Sequence, residues 1–214
     1  MIPRLHAITP EGLSAARILN IASSIVDTVD VLHLRQKKWT AAQMWELLTD
    51  GEKRGIPAQK WIINDRTDIA HSLKALGSQL TYSSLPTGVI RSAYPNQLIG
   101  VSIHHPDEAV QHEEAGAHYL LYGHVFETQS KLGVPARGID GLRDCKKRLR
   151  HAPIIAIGGI EPAHVPSLFA AGAYGVAVMS SIWLVSNPLD AALRYQESIQ
   201  SVLIQQCSTS PLHI

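Results

Sequence analysis

Eight short apolar runs punctuate the chain, each followed by a segment with helical spacing, and this alternation constrains the fold more than any other feature. The predicted strands are Leu5–Thr9, Val31–Arg35, Lys60–Ile63, Gln79–Tyr82, Leu98–Ser102, Tyr119–Tyr122, Pro153–Ile157 and Gly175–Met179. Strands that alternate strictly with helices join through right-handed crossovers and pair in parallel. Most of these runs are continuously apolar, as expected of strands covered on both faces. Eight such units predict a closed (β/α)₈ TIM barrel rather than an open doubly wound sheet. A chain of 214 residues can bury one core of this kind. No linker or shift of composition divides it. One barrel domain is therefore expected over 1–206, with a loosely ordered C-terminal tail over 207–214.

Composition excludes more than it identifies. Lys and Arg number 19 against 18 Asp and Glu, so the formal charge of +1 gives no general attraction for nucleic acid or an anionic membrane. No apolar run is long enough to span a bilayer, and the N-terminus lacks the pattern of a secretory signal. The two cysteines, Cys145 and Cys207, match no metal or redox spacing, and a reducing cytoplasm is the expected setting. The sequence leaves the oligomeric state open, a homodimer included.

If the barrel forms, the carboxyl ends of its strands share one mouth, where active sites of this architecture lie. Arg35 ends the second strand, Asn64 and Asp65 the third, and Ser102 the fifth, with His104 and His105 just beyond it. The sixth strand runs into His124, Glu127, Thr128, Ser130 and Lys131, which place proton-transfer and anion-binding groups within a few residues. Gly158 and Gly159 after strand seven allow close backbone approach, and Pro162 opens a helix whose N–H groups would face the mouth. Met179, Ser180 and Ser181 add further donors after strand eight. The last two loops are the usual phosphate cradle of such barrels, so Gly158, Gly159, Met179 and Ser180 are the expected phosphate site. His6 and His33, inside strands, are expected in the barrel interior.

These residues also carry a family resemblance, over Leu5 to about Ser198. Val31–Lys37, the Asn64-Asp65-Arg66 stretch, Ile157-Gly158-Gly159-Ile160 and Ala177-Val178-Met179-Ser180 resemble segments of the thiamine phosphate synthase family. In the synthases the first grips a pyrimidine pyrophosphate and the last two hold a thiazole phosphate. Gly123-His124-Val125-Phe126-Glu127-Thr128 is closer to the TenI thiazole tautomerases, whose histidine is the acid–base residue. The synthases have Gly-Pro-Ile-Phe-Pro-Thr there. They also place a magnesium-holding aspartate after strand four, where this chain has Ser84, while Asp65, the other ligand, is retained. A hydroxyl in place of a carboxylate weakens a hard-cation site.

The resemblance therefore implies an isomerase that aromatises a dihydrothiazole carboxylate phosphate, with His124 as proton shuttle and without metal or redox cofactor. A thiazole phosphate is the implied small-molecule partner. Thr128, Ser102 or Lys131 would bind its carboxylate, while Arg35 and Lys37 would line the former pyrophosphate side. The synthase reaction itself and a non-catalytic thiazole-phosphate binder are the alternatives.

Overall fold

A computed structural model describes residues 2–209. Its eight parallel strands close into a barrel in chain order. The elements are β1 (Leu5–Ile8), α1 (Ala15–Ile25), β2 (Val31–Leu34), α2 (Ala41–Lys53), β3 (Trp61–Asn64), α3 (Thr67–Ser72), β4 (Gly77–Leu80) and α4 (Thr87–Ala93). They continue with β5 (Leu98–Ile103), α5 (Pro106–Glu114), β6 (Tyr119–Gly123), α6 (Gly138–Arg148), β7 (Ile154–Ile157), α7 (Val165–Ala170), β8 (Gly175–Val178), α8 (Ser180–Trp183) and α9 (Pro188–Thr209). Among the described residues no helix is long and apolar enough to cross a membrane.

Strand periodicity sorts side chains into two cores. Leu32, Leu34, Trp61, Ile63, Leu120 and Tyr122 point outward into the layer between sheet and helices. Their neighbours Val31, Ile62, Tyr119, Leu121, Ile155 and Ala177 point inward and fill the barrel. The helices follow local rules. Thr40 caps α2 through a reciprocal bond pattern with Gln43, worth about 1 kcal/mol. Ile18, Leu19, Ala22 and Ile25 form the buried stripe of α1.

Two expected elements move. The fourth strand is Gly77–Leu80, two residues earlier than its apolar content suggested. Its residues are polar because Gln79 faces the interior and finds partners there. The third helix, which the sequence predicts over Thr67 to Leu76, stops at Ser72, and Lys74 turns the chain with φ +54°. At the C-terminus α9 carries the chain past the expected boundary at 206 as far as Thr209. Residues 210–214 of the expected tail lie outside the described residues.

The barrel interior also holds polar chains. His6 Nε2 faces the Pro3 carbonyl at 3.0 Å and therefore donates to it. In the neutral ring this leaves the Nδ1 lone pair to accept from His33 Nε2 at 2.8 Å. Burial lowers the His6 pKa to about 4 and that of His33 well below the usual value, so both rings are neutral. Nearer the mouth, the Tyr119 hydroxyl donates to Gln79 Oε1 at 2.6 Å, and Gln79 Nε2 donates to Ser102 Oγ at 3.0 Å.

Candidate active site

A cavity of about 950 Å³ opens at the carboxyl ends of the strands. Its lining includes Arg35, Asn64, Ser102, His124, Thr128, Lys131, Gly158, Gly159, Met179 and Ser180, together with His104, Glu127, Ser130 and Ser181, whereas Asp65, His105 and Pro162 do not line it. Its floor is mostly apolar, from Ile8, Leu121, Ile157 and Ala177, with His33 and Gln79 as polar points. That is the usual pattern of a small-molecule site.

One part of the wall is cationic. Arg35 is anchored by its backbone N–H to Thr9 Oγ1 at 2.8 Å, and its guanidinium stands 3.7 Å from Glu11. Lys37 binds the same carboxylate through its backbone N–H at 3.0 Å. Lys131 reaches this side from the β6–α6 loop. Burial lowers its pKa, and the like charges of Arg137, Arg35 and Lys37 lower it further. Arg137 closes the base of that loop. Its backbone N–H binds the His124 carbonyl at 3.0 Å and its Nε binds the Gly123 carbonyl at 3.2 Å. Thr128 accepts from the Ser130 N–H at 3.4 Å and so helps start the turn that carries Lys131. Sequence reading passed over Arg137, Glu11 and Gln79, although Arg137 just before Gly138 marked a turn carrying a charge.

His124 is 3% exposed and follows a cis peptide bond with Gly123. Its Nε2 donates to the Val134 carbonyl at 3.1 Å, while its buried Nδ1 has no hydrogen-bond partner. One ring nitrogen is thus committed to holding the loop. His104 offers the other imidazole at the mouth: Nδ1 donates to the Gly123 carbonyl at 2.7 Å, leaving Nε2 as an acceptor in the neutral ring.

The glycine pair does something the sequence did not show. Gly158 and Gly159 have φ of +103° and +62°. A Cβ on Gly158 would run into His124, and one on Gly159 would run into the Glu127 carbonyl and Phe126. The open space is filled first by the neighbouring loop, whose Val125 and Phe126 N–H groups bind the Ile157 and Gly158 carbonyls at 2.8 and 3.0 Å. The N–H groups after Pro162, expected to be open to a ligand, are capped internally, because Glu161 and His164 bind each other's backbone N–H groups. At β8, by contrast, Met179 precedes α8 without any side-chain cap, so the Ser180 end of this wall keeps its donors for a ligand.

The third part of the wall surrounds Asp65. Its carboxylate accepts from the Thr81 hydroxyl at 2.9 and 3.1 Å, from Asn64 Nδ2 at 3.1 Å, and from the Ser84 hydroxyl. Asp65 itself has φ +61°, an uncommon conformation for a residue with a side chain.

Comparison with known proteins decides the family. The model of the thiamine monophosphate synthase family, TMP-TENI, matches residues 5–182. The chain belongs to this family. A thiamine-phosphate synthase of Chloroflexus aurantiacus is 36% identical over 206 residues, covering 93% of both chains. One from Methanocella arvoryzae is 35% identical over 205 residues, covering 92% of this chain and 94% of its own. A solved thiamine phosphate pyrophosphorylase from Pyrococcus furiosus superposes with a TM-score of 0.78 at 25% identity, covering 94% of this chain and 96% of its own.

These relatives overturn the isomerase expectation. It rested on one segment, His124 to Thr128, whereas the likeness to thiamine-phosphate synthases runs through nearly the whole barrel. The enzyme class they point to is a transferase, and the tautomerase reading is withdrawn. The magnesium ion that the synthase resemblance implies does not fit this chain. Asp65 is the one retained carboxylate, and hydroxyl and amide donors occupy it. Among the described residues no group of three or more His, Cys, Asp or Glu is arranged to hold a metal ion.

Proposed function

We propose that the chain is a transferase that joins a pyrimidine carried as its pyrophosphate to a thiazole phosphate, releasing pyrophosphate and forming thiamine phosphate. The observation that carries this reading is the gathering of Lys131, Arg35 and Lys37 at one side of a cavity that also holds a separate phosphate-type cradle, with Arg137 behind Lys131. A part-buried lysine, its pKa lowered first by burial and then by neighbouring cations, is an arrangement that awaits a multiply charged anion. At about 950 Å³ the cavity lies at the large end for small-molecule sites and has room for two ring-bearing substrates. A single small substrate would leave much of it filled with water.

In this reading the Ser180 donors and the Gly158–Gly159 backbone hold the thiazole phosphate and orient its ring over the apolar floor. Arg35, Lys37 and Lys131 hold the pyrophosphate and stabilise it as it departs. Asn64, Ser102 and Thr128 offer neutral hydrogen bonds around the rings, and His124 contributes to the cavity wall while its ring nitrogens stay buried or bonded. No nucleic acid or membrane partner is required.

The test is direct coupling by the purified chain, with thiamine phosphate read as fluorescent thiochrome and pyrophosphate measured in parallel. Equal amounts of the two products are expected. Lys131→Ala should lower kcat/KM by roughly 10- to 100-fold, the worth of about 1.5–3 kcal/mol for a hydrogen bond to a charged group. Absence of product with either protein, with or without added magnesium, would rule out the transferase.

A further inference from the structure

We infer that Asp65 is a tether for the β4–α4 loop and that this chain holds no divalent cation at that carboxylate. The direction of the hydrogen bonds carries the inference. An ionised carboxylate only accepts, so the hydroxyl protons of Thr81 and Ser84 both point at Asp65. Ser84 Oγ in turn accepts the Thr81 backbone N–H at 2.8 Å. The two hydroxyls thus turn their positive ends toward the position where a cation would sit. Asn64 Nδ2 supplies a further donor to Oδ2. Three donors thus make four contacts with one carboxylate, the Thr81 hydroxyl being shared between its two oxygens, and a hard cation would have to displace them and find its remaining oxygen ligands elsewhere.

The same bonds have a positive role. They pin the segment that begins at Thr81, which carries Tyr82 (89% exposed) and Leu85 (63% exposed) to the rim of the cavity. Ser84 is the pivotal residue. A carboxylate in its place would repel Asp65, break the tether and create a pair of acidic ligands.

The inference stands on geometry and does not need the proposed reaction. Where it touches that reaction it rests on it, because the charge of the leaving pyrophosphate then falls on Arg35, Lys37 and Lys131. Binding of Mn²⁺, measured by its electron paramagnetic resonance signal, tests it on the full chain. The native protein should show no saturable site below about 1 mM, a weak affinity for a site of this type. Ser84→Asp should gain a site at least tenfold tighter, and adding Asp65→Asn to that variant should remove it. A micromolar Mn²⁺ site in the native chain that disappears in Asp65→Asn would overturn the inference. A Ser84→Asp protein that folds, by circular dichroism, yet gains no site would overturn the assignment of Ser84 as the block. Coupling with a chelator present separates the two readings. Unchanged turnover supports the inference, and a magnesium requirement whose apparent affinity weakens in Asp65→Asn overturns it while sparing the transferase. Failure of coupling under every condition removes the transferase and leaves the Mn²⁺ result to decide Asp65.

Discussion

Gly158→Ala is the substitution whose outcome the structure specifies most closely. Two terms add. The first is backbone strain, since φ is +103° and a residue with a Cβ pays about 1–3 kcal/mol in such a region. The second is steric. The new Cβ would overlap the His124 Cβ and lie 2.6 Å from its Cα and 3.2 Å from its carbonyl carbon. Two of those neighbours are backbone, and the backbone there is fixed by the Val125 and Phe126 bonds to β7, so no rotamer change relieves the clash. Overpacking of this kind costs about 1–3 kcal/mol. Gly12→Ala is the control: its φ is +85°, but nothing lies within 4 Å of the new Cβ, so only the backbone term of about 1–2 kcal/mol remains. Urea unfolding followed by the fluorescence of the buried Trp61 and Trp183 reads both. Gly158→Ala should lose at least about 1 kcal/mol more than Gly12→Ala, roughly 2–4 °C in Tm for a chain of this size. Equal losses in the two variants would refute the claim that the glycine exists to seat the neighbouring loop.

Two further outcomes follow from the barrel interior. The folded pKa of His6 is about 4 against 6.5 for the free ring, so the unfolded chain binds more protons between those values. Stability is complete above pH 6.5 and falls as pH drops through that window, by roughly 3 kcal/mol for His6 alone. Unfolding free energies measured between pH 7 and 5, above the carboxylate range, should show the decline, and a flat profile would contradict it. Tyr119→Phe leaves the Gln79 carbonyl oxygen buried without its donor and should cost about 1–3 kcal/mol. Pairing it with Gln79→Met should cost less than the sum of the single changes, whereas strict additivity would mean that the two side chains are not coupled.

Much of this architecture was legible because strand and helix periods leave different marks. Ile154 to Ile157 is apolar on both faces, as is Val31 to Leu34 apart from His33, and only a doubly covered strand needs that. β4 was misplaced for the complementary reason. Gln79 is satisfied by Tyr119 and Ser102, residues 40 and 23 positions away, and no local pattern records such partners. Most of the residues at the strand ends line one cavity, Asp65 and His105 excepted, since topology alone brings them there. Individual roles were less visible. Glu161 reads as an ordinary surface acid until its cap on the following turn is seen. The glycine pair reads as ligand space alone until the loop lying against its other side is seen. His124 drew attention through its residue type, which says nothing of its bond to the Val134 carbonyl.

The contact between the β6 and β7 loops has a consequence for engineering and for drift. Ile157 to Gly159 and His124 to Glu127 lie some thirty positions apart in the chain, yet each supplies the other's packing surface. They behave as a single interchangeable part in two pieces. A β6 loop transplanted from a relative would arrive without the partner shaped to receive it, and selection for a new substrate at one piece would have to carry the other along.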